Sequence, residues 1–265
     1  MKLDLHTHSK YSDDSFVEPA EIVRLAQERG MDGVAVTDHL SLRGGLEARS
    51  VNRDPDFLVI PGIEYPTDAG HIVGLFVETE PRVVPPSVSS AGSCLCAVSD
   101  VVSAIHAAGG IAVLAHPFES RIHLPEGLFT AAGLDALEGF NGRAGSLRNP
   151  GANRQAQDYA RANGIPVVKS SDAHFEWEIA RGGCVIEGLE PGALPDVVRQ
   201  AILRGAAVPF GTPAPRTAIP MTSLSKIRRS HKFEKVPKAL LRLTLAALGP
   251  AGLWLENLAR GPLEE

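Results

Sequence analysis

Residues 3–9 read Leu-Asp-Leu-His-Thr-His-Ser, a short apolar segment that ends at two histidines one residue apart. Three later segments repeat this pattern of an apolar run followed by imidazole or carboxylate side chains. They are residues 33–39 (GVAVTDH), 111–117 (IAVLAHP) and 167–174 (VVKSSDAH). Short runs rich in β-branched residues are typical of buried parallel strands. The sequence therefore predicts that polar residues collect where buried strands end.

Helix signals separate these runs. Pro19 begins a segment with apolar residues at helical spacing, which Gly30 ends. Similar segments lie at 95–108, 153–162 and 195–203. Strands that alternate with helices predict βα units, and about seven such units favour a closed or nearly closed barrel. The first strand is not followed by a Gly-x-Gly-x-x-Gly turn, so dinucleotide binding has no support.

The composition is that of an ordinary globular protein, with 265 residues, 44% hydrophobic and 22% charged. A net charge of −5 does not indicate a nucleic-acid-binding protein as a whole. Three cysteines cannot form a full disulfide framework and fit a reducing compartment. The N-terminus has no secretory signal pattern, and no apolar run is long enough for a transmembrane helix. We expect a cytoplasmic protein.

Two segments interrupt the βα pattern. Residues 78–94 are rich in proline, serine and valine and are interpreted as a loop inserted in the barrel domain, residues 1–211. Residues 212–265 form a C-terminal extension with a basic run and an amphipathic leucine pattern, expected to be partly helical. Three roles stay open for this extension: a helix that caps the barrel, a peripheral contact with an anionic membrane, or a contact with nucleic acid or a partner protein.

Nine polar residues, six histidines and three carboxylates, fall at or near the ends of the predicted strands. They are His6, His8, Asp13, His39, Glu64, His71, His116, Asp172 and His174. The C-terminal ends of barrel strands share one rim, so these residues can converge there. In an extended segment, residues i and i+2 point to the same side, so His6 and His8 can bind one ion. Nine nitrogen and oxygen donors exceed the four of a tetrahedral site and fit two or three ions.

The motifs that contain these residues resemble, in order, those of the PHP family (polymerase and histidinol phosphatase). The matching stretches are LHTHS at 5–9, SD at 12–13, TDH at 37–39, GIE at 62–64, GH at 70–71, AHP at 115–117 and SDAH at 171–174. The resemblance covers about residues 1–205. It implies an α/β fold, a distorted (β/α)7 barrel of TIM-like type.

The resemblance also implies three metal positions. The first has His6, His8, Glu64 and Asp172 as ligands, the second has His71 and His116 with Glu64 bridging, and the third has Asp13, His39 and His174. Such proteins hold manganese, iron or zinc, and mixed nitrogen–oxygen ligands do not select among these metals. A hydroxide activated at the His6, His8, Glu64 and Asp172 position would then hydrolyse a phosphate ester.

We therefore expect a metal-dependent phosphoesterase that acts on a small phosphomonoester or nucleotide phosphate, with an RNA end as a further substrate class. Arg143 and Arg181 are candidate substrate contacts, because a guanidinium binds phosphate oxygens in pairs. Asp38 is either a residue that orients its neighbour His39 or part of an exposed turn. Two alternatives remain: an amidohydrolase-like enzyme with the same metal centre, and a non-catalytic metal-holding module with a binding or regulatory role.

Overall fold

The computed structural model describes residues 1–83, 95–119, 124, 127–144 and 149–248. Within these ranges nine strands form one sheet in the order β7-β6-β5-β4-β3-β2-β1-β8-β9. The strands are β1 (Lys2–Asp4), β2 (Gly33–Val36), β3 (Leu58–Thr67), β4 (Gly70–Leu75), β5 (Ile111–Ala115), β6 (Ala136–Asn141), β7 (Val167–Ser170), β8 (Gly182–Ile186) and β9 (Ala207–Gly211). The sheet curls until β7 lies against β8 and β9. The predicted nearly closed α/β barrel is confirmed.

Eight helices accompany the strands in the described ranges. They are α1 (Pro19–Glu28), α2 (Arg43–Val51), α3 (Val98–Ala107), α4 (Leu128–Ala132), α5 (Ala152–Asn163), α6 (Pro195–Leu203), α7 (Ala218–Ser230) and α8 (Val236–Ala247). The sequence signals at Pro19 and Pro195 mark first turns, where proline is tolerated. Gly164 ends α5 in the left-handed conformation that favours glycine. The sequence pattern did not predict α2.

The strand directions are mixed, which corrects the expectation of parallel βα units throughout. Strands β1–β3 are parallel, and so are β5–β7, but β4 runs antiparallel to both β3 and β5. Strands β8 and β9 are antiparallel to their neighbours as well. Only Asp68 and Ala69 separate β3 from β4, too few residues for the crossover that a parallel pair needs. A hairpin is therefore the only connection available there.

The seam between β1 and β7 is closed by backbone hydrogen bonds at one rim. The amide of His8 donates to the carbonyl of Ala173 at 2.8 Å, and the amide of Asp172 donates to the carbonyl of His6 at 2.9 Å. Thr7 and Ala173 form an isolated parallel bridge at the same place. The two segments that bridge β1 and β7 at this rim are thus those that carry the His-x-His and Asp-x-His motifs.

Apolar side chains fill the barrel and the space beneath its helices. Leu3, Ile60 and Val113 belong to one buried cluster, and Leu137 in β6 belongs to a second that includes residues of α3 and α5. Leu137 is fully buried. Burying a leucine side chain stabilises a fold by about 1.5–3 kcal/mol.

We expect Leu137→Ala to lower the free energy of unfolding by about 3 kcal/mol, because it removes buried methyl groups and leaves a cavity. Equilibrium urea unfolding measures this change. Leu240 in α8 is about half exposed, at 48%, so Leu240→Ala serves as the matched control. The control should change stability by less than about 0.5 kcal/mol. Equal shifts in the two variants would contradict the packing described.

The C-terminal extension continues from the barrel as α7 and α8. Thr222 of α7 contacts the buried guanidinium of Arg143, and Arg229 donates to the carbonyls of Lys10 and Ser15. Helix α7 is thereby fixed over the rim. The rest of the predicted extension, residues 249–265, and most of the predicted insertion, residues 84–94, lie outside the described residues. Across the part of the chain that is described, no helix combines the length and apolar character needed to cross a membrane.

Candidate metal centre

Eight of the nine predicted ligands meet at the rim. They are His6, His8, His39, Glu64, His71, His116, Asp172 and His174. The ring centroids of His8 and His174 are 4.1 Å apart, and those of His71 and His116 are 5.1 Å apart. Strand β4 brings His71 to this rim because its first residues pair with the last residues of β3 and β5.

Hydrogen bonds at Nδ1, on the side of each ring that faces away from the cluster, orient His6 and His8. Glu138 accepts a hydrogen bond from Nδ1 of His6 at 2.9 Å, so Nε2 of His6 carries the lone pair. Ser12 donates to Asp38 at 2.9 Å and accepts from Nδ1 of His8 at 3.0 Å, which leaves the lone pair of His8 on Nε2 as well. The two Nε2 atoms are 3.0 Å apart. Two lone pairs at this distance repel each other unless a shared proton or a metal ion lies between them. Burial opposes protonation of His6, but Asp172, Glu138 and Glu64 raise the pKa of this histidine well above its ordinary value, so the site favours a positive charge there.

Asp38 therefore orients a histidine, one of its two predicted roles, but the histidine is His8 and not its neighbour His39. The Asp38 side chain is buried and also accepts from the amide and hydroxyl of Ser9. The alternative, an exposed turn residue, is wrong. Carboxylates that hold an imidazole in this way are a common feature of metal sites.

Glu64 lies at the centre of the cluster. Its Oε1 is 2.8 Å from Nδ1 of His71 and 3.4 Å from Nε2 of His116. Its Oε2 lies near ring nitrogens of His39 (2.9 Å), His8 (3.4 Å) and His6 (3.5 Å). This buried oxygen nevertheless makes no hydrogen bond with any described residue. Ring nitrogens of three histidines thus surround one unpartnered carboxylate oxygen. Metal ligands that face a common cation have this arrangement.

The structure corrects one predicted ligand: Asp14 takes the position expected for Asp13. The Asp13 side chain is exposed and contacts Lys226, whereas Asp14 is buried. Oδ2 of Asp14 lies 3.1 Å from Nε2 of His174 and 3.4 Å from Nε2 of His39. Nδ1 of His174 donates to the backbone carbonyl of Asp172 at 2.9 Å, which directs Nε2 of this ring toward the Asp14 carboxylate. Neighbouring side chains in the turn after Ser12 point apart, and only the second reaches the rim.

Three groups of side chains have ligand atoms close enough to share an ion. They are His8, Asp14, His39 and His174; His6, His8 and Glu64; and His39, Glu64 and His71. Asp172 extends the second group, with Oδ1 3.3 Å from Nε2 of His8. The facing Nε2 atoms and the unpartnered oxygen of Glu64 show that the residues fit metal ions. The division of ligands among three individual ions stays a prediction.

The charges of the cluster shift its protonation equilibria strongly. Burial lowers the pKa of His8, and the neighbouring His174 and His39 lower it further. Burial also opposes protonation of His39, but Glu64 and Asp14 raise the pKa of His39 to about 10. Burial would raise the pKa of Glu64, yet the surrounding imidazoles hold it well below its ordinary value. Glu64 is thus ionised and suited to bind a cation.

Two of the predicted ligands have unusual backbone conformations. His116 has φ +31° and Asp172 has φ +55°, in the region that residues other than glycine rarely adopt. Backbone strain of this kind costs about 1–3 kcal/mol and concentrates at functional sites. It aims both side chains at the rim from the loops after β5 and β7.

A pocket of about 210 Å³ lies over the cluster. Its wall opposite the histidines comes from α7, through Ile219, Thr222, Ser223 and Lys226. Nζ of Lys226 is 3.0 Å from Oδ2 of Asp14. Burial lowers the pKa of Lys226, but Asp14 and Asp13 raise it above its ordinary value, so the ammonium group stays charged. The pocket is large enough for a phosphate group and part of its leaving group.

The two predicted substrate arginines are in different environments. Arg143 lines the pocket, and its Nε donates to the buried Glu178 at 2.9 Å. Glu178 in turn accepts from the amide of His174 at 2.9 Å, so Arg143 also supports the loop that carries this histidine. Arg181 does not line the pocket. Its expected contact with substrate is therefore not supported, because the chain after His174 turns away toward β8.

Sequence reasoning missed Asp14, Glu138 and Lys226 as residues of the site. Glu138 had a detectable signal, since it is a carboxylate at the end of an apolar run, like the predicted ligands. Lys226 had none, because it belongs to a basic run about 50 residues after the last metal motif. Only the packing of α7 over the rim brings it to the cluster.

The chain is a nearly closed α/β barrel whose rim carries imidazoles and carboxylates that face one another. This combination defines a class of protein with metal-binding residues at the strand ends. Two family models match the chain, one described as PHP domain over residues 4–113 and one described as PHP-associated over residues 150–207. The chain belongs to the PHP domain family, as its motifs predicted.

Individual relatives agree with this assignment. An uncharacterized protein of Methanocaldococcus jannaschii is 31% identical over 166 residues, which are 58% of this chain and 91% of the relative. A 5'-3' exoribonuclease of Haemophilus influenzae is 36% identical over 87 residues, 31% of each protein. A solved two-domain protein of Bacteroides vulgatus, described as containing a predicted PHP-like metal-dependent phosphoesterase, has a TM-score of 0.60 at 19% identity. That match covers 80% of this chain and 65% of the Bacteroides protein, so it shows the shared fold alone.

Proposed function

We propose that this protein is a metal-dependent phosphoesterase that hydrolyses a phosphomonoester or nucleotide phosphate. One observation carries the proposal: the Nε2 atoms of His6 and His8 face each other at 3.0 Å beside the unpartnered oxygen of Glu64, under a pocket with a cationic wall. Metal ions below and an ammonium group above are suited to a phosphate dianion. The exoribonuclease description of the Haemophilus relative supports a phosphate ester over a C–N bond.

The residues that would hold the ions are those whose ligand atoms face one another. They are His6, His8, Asp14, His39, Glu64, His71, His116, Asp172 and His174. Two or three divalent ions, of manganese, iron or zinc, would supply an activated water for attack on phosphorus and would offset the charge on the phosphate oxygens.

The protein's own groups position and enclose the ester. Glu138 and the pair Ser12–Asp38 hold the rings of His6 and His8 with their Nε2 atoms directed inward. Lys226 presents a positive charge to the pocket from the side of α7. Helix α7 also limits the access of bulk water to the pocket, which strengthens every charge interaction inside it.

A phosphate-release assay on the full-length protein, purified without chelator and with its metal content quantified, tests the proposal. We expect release from p-nitrophenyl phosphate or nucleoside monophosphates, loss of release after treatment with dipicolinate, and recovery when Mn²⁺, Fe²⁺ or Zn²⁺ is returned. A metal-loaded protein that releases no phosphate but hydrolyses amide substrates would contradict the proposal and favour the amidohydrolase-like alternative.

A further inference from the structure

A second cavity, of about 560 Å³, lies between α7 and α8. Helices α7 and α8 and the 3₁₀ turn between them, Phe233–Lys235, surround it. Its charged lining consists of Lys226, Lys232, Lys235, Lys238 and Arg242, with Asp13 as the acidic residue. The volume is within the range of ligand pockets in proteins, about 300–1,000 Å³.

The positive charges of this cavity are largely uncompensated. Asp13 lies 3.4 Å from Lys226 and so offsets part of one charge. Within the described ranges, the side chains of Lys232, Lys235, Lys238 and Arg242 make no hydrogen bond or ion pair with another side chain. Because the whole protein has a net charge of −5, this concentration of cations is a local feature. Such a concave cationic surface attracts anions.

The cavity adjoins the pocket over the metal centre. Ser223 and Lys226 line both spaces. Contacts of Thr222 and Arg229 with the barrel keep α7, and with it this shared wall, in a fixed position. The helices lie outside the two segments that match the family models, residues 4–113 and 150–207. The cavity is therefore an addition to the part of the chain that the family defines.

The concave shape of the cavity favours a dissolved ligand over a membrane. Lys238, Ala239 and Arg242 face the cavity. At about 100° per residue, the exposed Leu240 lies nearly opposite this face, and the exposed Leu241 lies at its border, about 60° from Lys238. The basic side chains of α8 line a concave space that shares Ser223 and Lys226 with the pocket over the metal centre, and a flat membrane surface does not fill such a space.

We propose that the cavity between α7 and α8 binds phosphate groups of the substrate other than the one that is hydrolysed. This inference rests on the proposed phosphoesterase function and narrows its substrate class to molecules with two or more phosphates. The hydrolysed phosphate occupies the pocket over the metal centre, Lys226 lies between the two sites, and Lys232, Lys235 and Lys238 bind the remaining phosphates. A nucleoside bisphosphate and the end of a nucleic acid strand share this chemistry.

Fluorescence anisotropy with the full-length protein tests the cavity without catalysis. The probe is a tetrathymidylate with a 5′-phosphorothioate end that resists hydrolysis, and the matched probe has uncharged methylphosphonate linkages. We expect the charged probe to bind at least about tenfold more tightly than the uncharged one. The variant Lys232→Gln/Lys235→Gln/Lys238→Gln should lose this preference, and the slope of log K against log[salt] should become shallower by about 2.

The variant Arg154→Gln/Arg161→Gln/Arg204→Gln removes the same charge from exposed positions far from the cavity and should keep the preference. Equal binding of both probes, or a preference retained by the lysine variant, would overturn the proposal. A lysine variant that keeps probe binding and loses binding only to phosphatidylserine vesicles would overturn the proposal as well. If thymidine 3′,5′-bisphosphate displaces the charged probe, the substrate is a small molecule. If it does not displace the probe, the substrate is the end of a nucleic acid strand.

Hydrolysis of p-nitrophenyl phosphate, which has one phosphate, separates the two proposals. The lysine variant should hydrolyse it within about twofold of the unmodified protein, because the cavity does not contact this ester. If no ester is hydrolysed but the binding preference is present and lysine-dependent, the phosphoesterase proposal fails and the anion site stands. If esters are hydrolysed and the preference is absent, the anion site fails alone.

Discussion

Glu64→Gln is expected to lower kcat/KM for phosphate release by at least about 10³-fold, equivalent to about 4 kcal/mol of transition-state stabilisation. The physical reason is the central position of this carboxylate, whose two oxygens lie near ring nitrogens of five histidines. Glutamine keeps the shape but replaces a charged oxygen by an amide, a much poorer metal ligand. Phosphate release and metal content, measured on the same sample, should fall together.

Glu28→Gln is the control, because Glu28 is an exposed residue of α1 whose carboxylate pairs with the exposed Arg24. It should leave metal content and activity within about twofold of the original protein, as surface substitutions do. Full metal loading and full activity in Glu64→Gln would show that the cluster is not the catalytic centre. Loss of activity with full metal loading would assign Glu64 a role in the reaction rather than in metal retention.

Asp14→Asn is expected to lower kcat/KM by at least about 10²-fold, the effect typical of perturbing a metal site. The lost charge is the one that faces Nε2 of His174 at 3.1 Å and Nε2 of His39 at 3.4 Å. Asp13→Asn is a matched control one residue away, with the same chemical change at an exposed side chain. Hydrolysis of p-nitrophenyl phosphate should change by less than about threefold in that variant. A larger loss of activity in Asp13→Asn than in Asp14→Asn would indicate that Asp13 is the ligand.

The adjacent aspartates also show where sequence reasoning reaches its limit. The pattern of apolar runs followed by polar residues predicted the barrel, the shared rim and eight of the residues that meet there. It could not decide between Asp13 and Asp14, because the choice depends on the dihedral angles of a turn. The motif resemblance placed the ligand at Ser12-Asp13, whereas the structure directs Asp14 toward the rim. A shift of one position is enough to move a side chain from the rim to solvent.

Other features depended on contacts between distant parts of the chain. The direction of β4 follows from a two-residue connection that the apolar pattern does not reveal, although His71 was correctly expected near the rim. The contribution of α7 to the pocket depends on packing between Arg143 and Thr222, 79 positions apart in sequence. A basic run in a C-terminal extension carries no information about which surface it will cover.

The seam at which β1 meets β7 has a consequence for how this protein can change over time. The backbone that closes the barrel, through the bonds of His8 with Ala173 and of Asp172 with His6, is the same backbone that carries four of the candidate ligands. A substitution there that alters the site also loosens the closure, so stability and chemistry are selected together at these positions. The helices α7 and α8 lie outside this seam in the sequence, and α7 contacts the barrel through Arg143, Lys10 and Ser15. New substrates are therefore more easily acquired by altering these helices, while the residues of the seam stay constrained.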